Sequence, residues 1–470
     1  LDEAPDNRTS IDSRDKIQQL LTSGYPVATP ALICELSGDN LVDNNVVVPA
    51  THNDAYADFQ EQAYNWEDID NYSTGEDDTP YTIWEAFYQG IAVSNHAIEA
   101  MRAISDDPAH DAELAHSWGE AHLLRAYLHF VLVNVFAEAY KDETQSANDV
   151  GIPYVSEVEK TVTVDYSDPK YRKSVAEVYR LIEQDILEGV DLINDAKYKV
   201  PAYHFNRNAA NALAARFYLY KRDYAKVIEH ADAVLGTEPA GLNEKLMDYT
   251  HFDECTSSTD YAEIWQGPSQ ANNLMLMATY SIQWRRQIGR RYACAGKALR
   301  DIEFHLGPNW RWYLMPTAGV SGGTFWDGNS DHGFTSARIA ERFEYTDKVA
   351  GIGYAHVIRR EFTATELLLE RAEAKLLQAN HDIQGFIDDI IAYDTNRFTF
   401  SESNNLFYRS SNALVDLTRA TIESYYTRAT NSNVFANWDF TQKMDPNFVI
   451  PEDLVVYMNC LNDMRRFETA

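Results

Sequence analysis

The chain has 470 residues, with 40 Lys plus Arg against 72 Asp plus Glu, a formal charge of 40 − 72 = −32 at pH 7. So acidic a chain gains nothing from counterion release on a phosphate backbone and is repelled by anionic lipid, which argues against nucleic acid and against a basic membrane-binding surface. Hydrophobic residues are 45% of the chain, an ordinary globular share, and no apolar run reaches the roughly 20 residues a membrane helix needs.

Aromatics at 12%, with 29 Tyr and 9 Trp, exceed the needs of a lean helical bundle and point to recognition surface. Cys34, Cys255, Cys294 and Cys460 are widely spaced, with neither a CxxC pair nor a tight framework, and are expected to be buried thiols. The opening LDEAPDNRTSID has no initiator Met, charged n-region or apolar h-region, so any export signal is expected to have been cut away before Leu1.

Along the chain, residues of about 40–80 form an acidic, Gly-containing stretch bearing Tyr64-Asn65-Trp66 and Asn71-Tyr72. From Trp84, apolar residues at Phe87, Tyr88, Ile91, Ala92, Ile98 and Met101, with Asn95 among them, draw one stripe on a helix. Glu113 to Tyr140 begins amphipathic and turns apolar nearly all round after Leu123, as a helix buried between neighbours does. GIPYV at Gly151 to Val155 and Asp168-Pro169 are breaks, after which Ser174 predicts an N-cap with Glu177 at the capping-box position.

Arg207 to Leu235 reads as two helices hinged at Asp223, with Ala210, Ala214, Ala215 and Ala231 letting helices approach closely, the composition of a tetratricopeptide unit. Ala121, Leu124, Ala126 and Leu128 echo Ala210, Leu213, Ala215 and Phe217, and Thr365 to Ala379 with Gln384 to Tyr393 gives a third unit. The spacings of 89 residues from Ala126 to Ala215 and 159 from Ala215 to Ala374 fit no tandem array, so the units are interrupted. Asp248 to Gly353 holds Trp265, Trp284, Trp310, Trp312 and Trp326 with few long helical stripes, and Phe398 to Phe448 is similarly irregular.

The fold class expected is therefore mainly α: a tetratricopeptide-like helix-turn-helix scaffold over about 83–240 and 363–395, with large irregular, loop-rich insertions over about 40–80 and 248–353, all in a single domain of residues 1–470.

Several local motifs fail on context. Gly319-Val320-Ser321-Gly322-Gly323 matches GxSxG, but TFWDGNSDHG after it cannot start the helix a nucleophile elbow needs. Asp327, Asn329 and Asp331 alternate like the first ligands of a calcium loop, yet the Gly falls at Gly333 and Arg338 stands where the bidentate Glu belongs. Gly296-Lys297 lacks the upstream Gly of a P-loop. His122 and His129, with Arg125 between them, read as a polar seam between helices in preference to a metal pair, and HExxH is absent. No motif places two carboxylates in apolar pockets for acid/base work. No catalytic residue, metal or cofactor is assigned.

The aromatic loops carry more. Tyr64, Trp66, Tyr72, Trp310, Trp312 and Trp326, in the company of Asn, Asp and Arg, suit a neutral sugar, whose axial C–H groups stack on rings while amides and carboxylates take the hydroxyls. The alternative for each ring is the core of its insertion.

In this order and at these spacings, LDEAPDNRTSID, WEAFYQGIAVSNHAI, GEAHLLRAYLHFVLVNVFAEAY, GIPYV, RKSVAEVYRLIEQDILEGVDLI, NAANALAARFYLYKRDYAKVIEHADAVL and ELLLERAEAKL resemble the SusD/RagB family of Bacteroidetes nutrient-uptake proteins. The resemblance implies a surface lipoprotein of the outer membrane, its lipidated Cys just before Leu1. It also implies a helical half that docks on a SusC-like TonB-dependent transporter and an irregular half that presents an oligosaccharide ligand. Family members continue past the last helix into a segment like EGxRxxDxxR, whereas this sequence stops at RRFETA, so the natural chain is expected to run on. No ligand residue transfers by motif.

Overall fold

A computed structural model describes residues 11–38, 40–43, 58–160, 166, 168–249, 258–288, 291–293, 324–326, 334–398, 416–427 and 449–469. In chain order these give α1 (Arg14–Thr22), α2 (Ala31–Leu36), β1 (Val42–Asp43), α3 (Asp58–Tyr64), α4 (Pro80–Ile104), α5 (Ala115–Phe136), α6 (Val175–Gly189), α7 (Arg207–Lys221), α8 (Tyr224–Leu235) and α9 (Ser258–Trp265). There follow β2 (Asn273–Thr279), α10 (Gln283–Ile288), β3 (Tyr292–Ala293), β4 (Thr324–Trp326), β5 (Phe334–Ser336), β6 (Arg342–Asp347), β7 (Ile352–Thr363), α11 (Ala364–Leu377), α12 (Ile383–Phe398), α13 (Arg419–Thr427) and α14 (Val455–Thr469). The architecture is mainly α, as the helical periodicities predict, and it divides into two compact units, Leu1–Val27 with Ile83–Lys221 and Ala28–Thr82 with Arg222–Ala470.

In the first unit α5 is the central helix. Every residue from His116 to Phe130 is buried, which is why its sequence shows no polar face. Ile17 and Leu21 of α1, Ala97, Ile98 and Met101 of α4, and Trp118 and Ala121 of α5 form one hydrophobic cluster. At the α5–α6 crossing two glycines face each other: a Cβ on Gly189 would stand 2.6 Å from the Gly119 carbonyl oxygen, and one on Gly119 would stand 2.9 Å from that of Gly189. Only residues without a side chain allow this approach. The N-cap read at Ser174 is present, its Oγ accepting from the Glu177 N–H at 3.3 Å; in the second unit Asp223, read as a hinge, caps α8, its Oδ1 accepting from the Lys226 N–H at 3.4 Å. In α4 the buried stripe runs through Ile83, Phe87, Ile91, Asn95, Ile98 and Met101, whereas Ala92 is exposed and Tyr88 half-buried.

Polar groups inside α5 form a network with α6, although His116 Nε2, Trp118 Nε1 and His122 Nε2 are buried without a hydrogen-bond partner. Arg125 grips Asp185 of α6 bidentately, Nε to Oδ2 at 2.8 Å and Nη2 to Oδ1 at 2.6 Å. His122 Nδ1 donates to the same Oδ1 at 2.7 Å, and the Tyr154 hydroxyl donates to Oδ2. Burial raises the Asp185 carboxyl, but the hydrogen bonds and charge of Arg125 and His122 overcome this and hold it well below the usual carboxylate range. His129 accepts from the Val155 N–H on Nε2 and donates from Nδ1 to the Arg125 carbonyl. With both ring nitrogens so used it is neutral, and burial pushes it down to about 3. The His122–Arg125–His129 seam is thus a structural network joining α5 to α6 and to the segment around Tyr154.

In the second unit, α11 lies against α8, α12 and α14. Arg371 of α11 grips Asp389 of α12 bidentately, at 3.0 and 2.7 Å, and reaches Asp232 of α8 at 2.8 Å. The stretch expected to be loop-rich also holds a three-stranded antiparallel sheet of order β2-β7-β6, with Thr279 opposite Val357 and Tyr345 opposite Gly353. Its strands were hidden from periodicity because β2 is buried on both faces and β6 is exposed on nearly every residue, so neither alternates. Cys460 is a buried thiol as expected, but Cys34 is exposed at the end of the short α2.

Candidate functional site

The strongest candidate lies in the second unit, on α3 and the loop that follows it. The helix closes in a paired-hydrogen-bond cap: the Glu67 N–H bonds the Gln62 carbonyl at 2.9 Å and the Trp66 N–H that of Ala63 at 3.3 Å. This geometry puts the residue between them in the left-handed region, normally a glycine. Here it is Trp66, with φ 58, and its side chain is 80% exposed. A large aromatic held out in water on a backbone that disfavours it stabilises nothing, which makes this position the candidate.

The loop is braced from the helix side. Gln62 donates from Nε2 to Asp70 Oδ1 at 2.6 Å and accepts from the Asp70 and Asn71 N–H groups at 3.2 and 3.0 Å. Asn71 Nδ2 reaches back to Asp58 Oδ2 at 3.0 Å. Trp66 and Tyr72 therefore sit at either end of one pinned loop.

A second set of contacts joins this platform to the later insertion. Asp43 of β1 pairs in register with Tyr292 of β3. Arg291 binds Asp43 at 3.2 Å and Glu61 at 3.3 Å. Arg286, itself buried, lies over the Phe59 ring and binds Glu76 Oε1 at 2.9 Å. The two stretches read as loop-rich insertions, about 40–80 and 248–353, thus meet at α3. Sequence reading missed Gln62, whose partners Asp70 and Asn71 are near in sequence but sit in a loop without periodicity, and Arg286 and Arg291, whose partners lie too far along the chain for a local motif.

The predicted aromatics separate by role. Tyr64 is half-buried, its ring 4.9 Å from that of Tyr292 and its hydroxyl accepting from the Asp43 N–H at 3.2 Å, so it supports the platform. Trp66 and the half-buried Tyr72 are on the loop. Trp326 lies on β4, opposite Phe334 of β5. Trp310 and Trp312 fall outside the described residues, as do the GxSxG stretch, the Asp327–Asn329–Asp331 alternation, Gly296-Lys297, Cys255 and Cys294.

Asp78 is the perturbed carboxylate nearest in sequence to this loop. Burial pushes it up to about 6 against the opposing pull of Ser281, the Ile282 N–H and Arg286. It is 3% exposed and accepts from the Ile282 N–H at 2.9 Å, which makes it a pin between the insertions; no substrate reaches it.

A mainly helical scaffold carrying a braced aromatic loop is the architecture of a binding protein. Residues 1–219 match the SusD-like family described as starch-binding and associating with the outer membrane. A SusD-like protein from Formosa agariphila is 29% identical over 156 residues, 33% of this chain and 26% of that protein, so the match spans about a quarter of the relative's length. Among solved structures, a SusD-like protein from Bacteroides fragilis superposes with TM-score 0.58 at 16% identity, covering 100% of this chain and 86% of that one. A SusD-like carbohydrate binding protein from Bacteroides vulgatus does so with TM-score 0.51 at 16% identity, over 84% and 78%. Residues 1–219 are thus similar in sequence to the SusD-like family, and the chain shares the fold of SusD-like proteins over its length.

Proposed function

We propose that the protein is a non-enzymatic, cell-surface glycan-binding protein that captures a neutral oligosaccharide on the Trp66 platform and delivers it to a SusC-like TonB-dependent transporter. The observation carrying this reading is Trp66 itself, an exposed ring on a strained, braced backbone with amide and carboxylate groups of Asn65, Asp70 and Asn71 along the same loop. A pyranose presents an apolar face to such a ring and hydroxyls to such a rim. Starch binding is what the matching family is described by, and carbohydrate binding what the Bacteroides vulgatus relative is named for.

Delivery to the transporter and anchoring in the outer membrane by an N-terminal lipid are proposed on the SusD-like resemblance of residues 1–219, whose family description names association with the outer membrane. Among the described residues no helix is long and apolar enough to cross a membrane, which is compatible with attachment by lipid.

The competing readings are a tetratricopeptide-like scaffold for a peptide and a glycoside hydrolase. Four carboxylates around α3 are occupied, Asp43, Glu61 and Glu76 by Arg291 and Arg286 and Asp78 by burial, which favours binding over hydrolysis, while Glu67 and Asp68 stand exposed beside Trp66. Affinity-gel retardation on a panel of neutral polysaccharides, with reducing ends assayed in parallel, tests the proposal. Retardation lost on Trp66→Ala without release of reducing sugar is the expected result; released sugar means an enzyme, and retention of peptides but of no glycan means a scaffold.

A further inference from the structure

The first unit carries a cavity of about 380 Å³ lined by Trp84, Tyr88 and Asn95 of α4 and by Val155, Glu157 and Glu159 of the extended segment that crosses it. The volume is at the small end of the range for small-molecule sites, roughly 300–1,000 Å³. Two aromatic rings form one wall, Trp84 and Tyr88 with centroids 4.8 Å apart.

The polar atoms of the floor are already used. The Tyr88 hydroxyl donates to the Pro153 carbonyl at 2.7 Å. Asn95 Nδ2 donates to the Val155 and Glu157 carbonyls at 3.0 and 3.3 Å, and its Oδ1 accepts from Arg125 Nη1 at 2.8 Å. What remains for a ligand is ring surface below, the His96 and Tyr166 side chains on the lining and, at the rim, the exposed side chains of Glu157 and Glu159, which share Val155's side of an extended chain by their even spacing. The neighbouring Lys160 is turned to Glu99, Nζ to Oε1 at 2.8 Å. Against the donors on the lining, the His96 ring and the Tyr166 hydroxyl, the rim sets two carboxylates over aromatic faces, a balance that suits a cation better than a neutral sugar.

From this arrangement we infer that the cavity binds a guanidinium or primary ammonium on an apolar stem, the chemistry of an arginine or lysine side chain. The stem and flat cation lie on Trp84 and Tyr88, and the N–H groups meet Glu157 and Glu159. The site is independent of the glycan platform.

Calorimetric titration with Nα-acetyl-arginine N-methylamide tests it, against the neutral isostere Nα-acetyl-citrulline N-methylamide. The arginine compound is expected to bind at least about tenfold tighter, a gap that narrows as salt is raised. Glu157→Gln with Glu159→Gln should lower arginine affinity about tenfold with the melting temperature unchanged, since both carboxylates are exposed. Because Trp84 also packs on Phe136, at 5.1 Å between centroids, its replacement is the secondary variant. A pentapeptide Ala-Ala-Arg-Ala-Ala binding more tightly than the free derivative identifies the natural source as a peptide segment, and equal binding identifies a free cation; both agree with the inference. Equal binding of the citrulline compound, indifference to the double substitution, or no heat with the arginine compound overturns it.

Discussion

Arg125 and Arg371 occupy matching places in two different helix pairs: each precedes an alanine, comes after leucines, directly at Leu124 and across Glu370 at Leu369, and lays both edges of its guanidinium on an aspartate of a later helix, Asp185 and Asp389. Bidentate, buried pairs of this kind fix how one helix sits against the next more than they add net stability. Arg125→Met leaves the Asp185 charge buried with only His122 and Tyr154, and should cost about 3–5 kcal/mol in urea unfolding. The double replacement Arg125→Met with Asp185→Leu should recover most of that loss, because a buried pair exchanged whole for apolar groups is nearly neutral.

Two buried groups tie stability to pH with opposite signs. His129 is pushed down to about 3 in the folded chain, against about 6.5 unfolded. The unfolded chain therefore binds more protons between these values, and this contribution, complete above about 6.5, is lost as pH falls toward 3. Asp463 of α14 accepts from the Tyr426 hydroxyl at 2.7 Å, and burial pushes its carboxyl up to about 7 despite that bond and Arg466. Here the folded chain binds more protons, so the contribution is complete below about 3.9 and is lost as pH rises through 7. Thermal melts of Asp463→Asn should match the parent near pH 4 and exceed it at pH 8. A variant that melts lower at pH 8 would show the ionised carboxylate to be stabilising.

The scaffold was readable because its signals are local. The α4 stripe, the α5 segment apolar all round, the Ser174 cap, the α7 and α8 helices and the α11–α12 pair follow from periodicity and capping chemistry. The register of the third unit was not so readable. Matching alanines sets Ala374 beside Ala126, whereas the buried guanidiniums set Arg371 beside Arg125 and so Ala372 beside Ala126. Small residues repeat too often to fix a register; a buried charge and its partner occur once. For the platform, sequence gave the aromatic, Trp66, but not the Gln62 brace or the Arg286 and Arg291 clasps, whose partners lie up to 248 residues away.

The glycine contact between α5 and α6 gives a steric prediction. Gly189→Ala would place a methyl group 2.6 Å from the Gly119 carbonyl oxygen, a backbone atom that cannot rotate aside. The helices must separate by several tenths of an ångström along a crossing where Ile182 and Ile186 are also buried. Overpacking of this kind costs about 1–3 kcal/mol, against the gain of about 1 kcal/mol that Gly to Ala brings in an open helix. A net loss in denaturant midpoint is expected, with the m-value unchanged.

At Trp66 stability and binding should move in opposite directions. Its φ of 58 suits glycine, so Trp66→Gly is expected to stabilise the fold by about 1 kcal/mol through relief of the left-handed penalty while abolishing glycan retardation. Trp66→Ala should lose retardation with no such gain. The Gln62 brace separates loop order from ring contact: Gln62→Ala removes three hydrogen bonds to Asp70 and Asn71 and leaves Trp66 in place. It should weaken retardation several-fold and speed hydrogen exchange at the amides of residues 67–71, with the global melt little changed, because the loop belongs to the low-stability end of local opening. Full retardation by Gln62→Ala alongside faster exchange would mean that the ring alone, without its braced loop, makes the site.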